Sequence, residues 1–184
     1  MPRRSIFALA LAAALGLSAG AAAADESFAL FKAMCLDTDA DAARAHATAE
    51  AAGWGEIPAA RLQELADATR AVDARGRLAA TPNGIFVLMT GLSADSDAEL
   101  ATVVCNVFGF RQAQVWDASP EIEQWVGLPP SRVEGPLRMW TWEIREGRKV
   151  APAPDAPLAA GYAILATSQA TSFRYELART RPAN

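Results

Sequence analysis

The sequence predicts an α+β domain in which N-terminal helices pack on one face of an antiparallel sheet of about five strands. Three observations point there. Apolar residues recur at helical spacing in the first third of the exported chain. Alternating apolar and polar residues dominate the last third. The helical and strand patterns also come in separate blocks, which argues against an alternating α/β fold.

The chain opens with an expected export leader, residues 1–24. Arg3 and Arg4 supply positive charge, Ile6 to Gly20 is uncharged and mostly apolar, and Ala22 and Ala24 offer the small-x-small pattern for cleavage before Asp25. The apolar run is short for a membrane crossing, and Asp25 and Glu26 end it. A lipid anchor would need a cysteine at the cleavage point, and the first is Cys35, so the mature chain is expected to carry no membrane anchor. Arg3-Arg4 also allow a twin-arginine route, but Ile6 and Phe7 fit that pattern poorly, which favours ordinary unfolded export. Such export brings no cofactor loaded in the cytosol, and none is expected.

Beyond the leader lie roughly 160 residues, expected as one globular domain, 25–184. Glu26 to Leu36 reads as a helix with Phe28, Phe31, Met34 and Cys35 on its inner side. Asp37-Thr38-Asp39 is expected to break it and cap an Ala-rich helix from Ala40 to about Ala52, ended by Gly53. Pro58 opens a third helix whose stripe is Leu62, Leu65, Thr69 and Val72, closed at Gly76. Ile85 to Thr90 is a continuous apolar run between Pro82-Asn83-Gly84 and Gly91 and reads as a central strand. Glu99 to Val107 is a second strand, with Ala101, Val103, Cys105 and Val107 on one face. A short helix is expected from Pro120 to Val126, capped by Ser119 and stopped by Gly127-Leu128-Pro129-Pro130. Leu137 to Arg145 alternates, with Trp140, Trp142 and Ile144 on one face. Ala151 to Pro157 reads as an extended loop, and Tyr162–Thr167 with Ser172–Arg179 as a hairpin turning near Gln169-Ala170.

Charge and residue inventory exclude several function classes. The full chain has 17 basic and 21 acidic residues, and loss of Arg3 and Arg4 takes its net charge two units below −4. With no basic cluster to offset this, nucleic-acid binding is not expected. The single histidine, His46, sits mid-helix one turn before Glu50 and reads as a solvated helix residue. A zinc site needs several nitrogen or sulfur ligands, so no metal centre is expected. Asp37, Asp39 and Asp41, like Asp95, Asp97 and Glu99, have an acidic D-x-D spacing. The sixth and twelfth positions of a calcium loop fall on Ala42 and Thr48 in the first, and on Leu100 and Asn106 in the second. Neither fits. Gly91-Leu92-Ser93-Ala94-Asp95 lacks the second glycine of a serine nucleophile elbow, and Gly53-Trp54-Gly55 is too short to cradle phosphate. No catalytic residue is singled out.

Two constellations remain. Cys35 and Cys105 are the only cysteines, and export into an oxidising compartment makes a disulfide the default, closing a loop of about 70 residues for roughly 4 kcal/mol. A reactive thiol pair is the alternative, disfavoured by the absence of C-x-x-C and the apolar flanks. Trp140 and Trp142, two of five tryptophans, are either buried core or a stacking platform for a sugar or peptide, with Arg138 on the same face and Arg145, Arg148 and Lys149 near the strand end.

The Ala-rich leader, Phe31-Lys32-Ala33-Met34-Cys35-Leu36, the Ala-rich helix ending in Gly53-Trp54 and the later second cysteine resemble small secreted proteins, without an assigned role, that are common in alphaproteobacteria. The resemblance implies a periplasmic location and a Cys35–Cys105 disulfide, and no activity. The expectation is therefore a non-enzymatic periplasmic domain that binds a protein, peptide or small ligand, with Trp140, Trp142 and Arg138 as candidate ligand contacts. The alternative is a carboxylate-dependent hydrolase of the cell envelope, since acids are the one plentiful catalytic side chain.

Overall fold

The structure, a computed structural model, describes residues 21–96, 99–115, 117–153 and 160–183. Residues 1–20 of the expected leader, most of the segment 151–157 expected as a loop, Trp116 and Asp97 lie outside them. Helix α1 (Ala21–Phe31) runs into a π-helical turn (Lys32–Leu36), followed by α2 (Ala42–Ala51), β1 (Gly55–Glu56) and α3 (Ala59–Thr69). Long strands follow: β2 (Ala71–Thr81), β3 (Gly84–Ser93) and β4 (Leu100–Phe110). Then come α4 (Ser119–Val126), β5 (Arg132–Glu134), β6 (Leu137–Arg145), β7 (Arg148–Val150), β8 (Gly161–Gln169) and β9 (Ser172–Pro182).

The expected α+β class holds, but the sheet has nine strands rather than about five. All pairings are antiparallel, in the order β1-β2-β3-β4-β9-β8-β6-β5, with β7 paired to β6. Three of the additions, β1, β5 and β7, are two or three residues long. The fourth, β2, occupies sequence assigned to the end of the third helix. That helix stops at Thr69, where Arg70 turns left-handed (φ 54), so Val72 and Gly76 belong to the strand.

The helices do not share one face. Phe31, Met34 and Cys35 of the first helical stretch, Ala45 and Ala49 of α2, and Ile122 and Val126 of α4 pack on one side. They meet Leu88, Cys105, Val107, Trp140, Ile164, Tyr175 and Leu177 there. α3 packs on the other side, where Leu65 and Leu62 meet Val87, Met89, Val104 and Phe108. This explains the continuous apolar run of β3, which is covered on both faces. Gly76 lies where α3 crosses the sheet, and a Cβ there would sit 2.5 Å from Ile57 Cγ2.

Two caps differ from expectation. α2 is capped by Asp41, whose Oδ1 accepts the Arg44 N–H at 2.9 Å, rather than by residues 37–39. In α4, Ser119 is the first helical residue, and Asp117 Oδ1 accepts its N–H at 3.0 Å. The π-helical turn is held by Asp37 N–H to Lys32 O at 2.8 Å and Ala40 N–H to Cys35 O at 3.0 Å, both five residues back. It delivers Cys35 to Cys105 on β4, and the two form a disulfide with a Cα–Cα distance of 5.6 Å. No described helix is long and apolar enough to cross a membrane.

Candidate functional site

Helix α4 is built locally and then tied to the sheet. Pro120 sits in its first turn, Glu121 complements the helix dipole there, and Gly127 (φ 75) closes the C-terminus by donating to Glu123 O at 2.8 Å. Trp125 meets Trp142 edge-on at 5.9 Å. Lys149 of β7 donates to Trp125 O at 2.7 Å with its Nζ 3.2 Å from the Trp125 ring centroid. Burial there lowers the Lys149 pKa.

Between α4, the Gly127–Pro130 turn and β6 lies a cavity of about 630 Å³, in the range of small-molecule sites. Trp140 and the prolines 129 and 130 give it apolar wall, and Arg138, Asp117 and Glu123 give it charge. Trp140 is wholly covered, yet its Nε1 has no acceptor among the described residues. A buried donor left unpaired costs about 1–3 kcal/mol. Arg138 lies two residues earlier on the same strand face and donates through Nη1 to Gly135 O at 3.1 Å, with no carboxylate in ion-pair range among the described residues. Asp117 spends Oδ1 on the backbone and hydroxyl of Ser119.

Of the residues singled out in the sequence, Arg138 and Trp140 thus line one cavity. Trp142 does not line it. It is 1% exposed, stacked on Tyr162 at 5.3 Å and covered by Trp125. Neither Trp140 nor Trp142 presents an open stacking face, because α4 closes that side of β6. Arg145 turns away to pair with Glu143 at 2.8 Å.

His46, expected as a solvated helix residue, keeps only part of its surface in solvent. It is half-buried under β3, with Nε2 at 3.0 Å from Thr90 Oγ1, and burial, followed by the Arg77 and Arg75 charges, lowers its pKa. Glu50 pairs instead with Arg77 at 3.1 Å. The acids of the first D-x-D cluster separate: Asp37 pairs with Lys32 at 2.7 Å, Asp39 with Arg179 at 2.6 Å, and Asp41 caps α2. Asp95 pairs with Arg70 at 2.5 Å. No group of three His, Cys, Asp or Glu converges among the described residues.

Sequence reasoning missed the role of Asp117, Glu123 and the proline turn. The signal available was the Pro120 and Pro129-Pro130 bracket around α4, which marks a short helix held at both ends. Comparison with protein-family models, curated proteins and solved structures finds no match for this chain.

Proposed function

We propose that this chain is an exported, non-enzymatic binding module that seats a peptide or small ligand in the α4 cleft. One observation carries the reading: Trp140, whose buried indole N–H has no acceptor among the described residues, and Arg138, which has no carboxylate partner among them, line the same cavity. A ligand offering an acceptor to Trp140 and an anionic group to Arg138 would meet both needs. Export draws support from the leader pattern and from the Cys35–Cys105 disulfide, a bond at home in oxidising compartments.

The hydrolase reading draws less support. It needs two free carboxylates about 5 to 9 Å apart across a cleft. In this cavity Asp117 is engaged with the start of α4, which leaves Glu123 as the uncommitted acid among the lining residues.

The test is affinity capture on the purified chain and its Arg138→Gln variant, using periplasmic extract and mass spectrometry of the eluate. A small molecule or peptide enriched about ten-fold on the wild type over the variant is expected, at equal melting temperatures. Identical eluates would refute the assignment.

A further inference from the structure

We propose that a second cavity, on the same sheet face but beyond the N-terminus of α2, binds a small amino-dicarboxylate. The proposal is independent of the α4 cleft. The cavity has a volume of about 420 Å³. Its floor comes from β3 and β4, its walls from β2 and β9, and its roof from the segment leading into α2.

The charges in it can be sorted into those already used and those not. Arg179 is bound to Asp39 through Oδ2 at 2.6 Å. Asp41 is engaged as the α2 cap. Arg75 of β2 and Arg181 of β9 have no carboxylate within 4.0 Å among the described residues, and Asp73 has no cationic partner there. Two arginines and one aspartate that line this space are therefore left without a partner of opposite charge among the described residues. A ligand with two carboxylates and one ammonium matches that remainder group for group. Guanidinium is suited to it, since its planar fork binds carboxylate through two parallel hydrogen bonds.

The two arginines come to the cavity from opposite corners of its sheet floor. Arg75 lies on the cross-strand row of Leu177 and Arg181 four residues further along β9, so the two arginine backbones stand roughly 20 Å apart across three strand spacings, and both side chains must lean inward to reach one small molecule. The backbone around the cavity is specialised as well. Asp39 (φ 57), Ala40 (φ 55) and Asp73 (φ 52) all line it, and they are three of the six non-glycine residues with positive φ. Such conformations persist only where surrounding structure imposes them. The register of β2 against β3 shifts between Val72 and Arg75, a bulge that turns Asp73 and Arg75 onto the cavity wall.

Isothermal titration of the purified chain with L-glutamate and with glutarate, the same diacid without the amino group, tests the proposal. L-Glutamate is expected to bind, and glutarate to bind about ten-fold more weakly. Arg75→Gln and Arg181→Gln should each weaken L-glutamate by about ten-fold, and Asp73→Asn should remove its advantage over glutarate. All three side chains belong to exposed residues, and the melting temperature of each variant checks the fold. No heat with L-glutamate up to about 10 mM would overturn the proposal, as would glutarate binding equally well to the wild type. The second comparison needs no variant at all.

Discussion

Removing the Cys35–Cys105 bridge is the most direct perturbation of this architecture. The bond closes a sequence separation of 70 residues and joins the turn after α1 to β4, one of the two strands at the middle of the sheet. In the chain-entropy treatment a loop of that length restricts the unfolded ensemble by about 4 kcal/mol at 25 °C. A domain of this size loses about 2–4 °C of melting temperature per kcal/mol, so an open bridge should lower Tm by roughly 8–16 °C. Both sulfurs are fully covered, at 0% exposure, so reductant should act on the native protein only through unfolding. The assay is urea denaturation of the oxidised chain and of chain reduced while unfolded and refolded under reductant. The midpoint should fall and the m-value should rise, because the uncrosslinked unfolded state exposes more surface. A stability change under about 1 kcal/mol with the same m-value would refute the entropic account. Labelling of both thiols in native, unreduced protein would refute the bond itself.

Gly109→Ala should destabilise the chain by about 2 kcal/mol or more, because the new Cβ would lie 2.1 Å from the Phe173 ring, which is itself stacked on Tyr175 at 4.6 Å. Gly55→Ala, whose nearest neighbour is 4.0 Å away, is the control, and equal denaturation midpoints for the two variants would contradict this packing. His46 has its pKa lowered by burial, so the unfolded state binds its proton first as pH falls. Stability should be constant above the unfolded value of about 6.5 and decline below it until the folded value is passed, and this decline should vanish in His46→Gln. An unchanged pH profile in that variant would show that His46 contributes nothing to it. Iodide should barely quench a chain in which Trp116 and Trp125 are replaced by Phe, since Trp54, Trp140 and Trp142 are 7%, 0% and 1% exposed, and efficient quenching would mean that α4 does not cover β6.

The strands that could be read from the sequence were those whose pattern is local. β3 announces itself by a continuous apolar run between glycines, and β6, β8 and β9 by alternation and a tight turn. β2 gave no such signal. It holds Ala, Arg and Gly at positions where strands favour branched residues, and its bulge at Val72/Arg75 breaks the alternation. Its start depends on Arg70 turning left-handed, a conformation that sequence normally marks with glycine. Strands of two or three residues, such as β1 and β7, carry too few positions to show any period.

The sites divide in the same way. Arg138 and Trp140 could be paired from sequence because they are two apart on one strand, and alternation alone puts them on one face. His46 and Thr90, 44 residues apart, and Arg75 and Arg181, on strands separated by two others, have no local relation to reveal them.

The amino-acid order alone settled the α+β class and the inward orientation of Cys35 and Cys105, since each follows from side-chain period and composition over a few residues. Only the tertiary structure decided the number of strands, the placement of α3 on the opposite face, the covering of Trp140 by α4 and the cavities that result. Those depend on which surfaces meet, and contacts between distant segments are set by the register of the whole sheet.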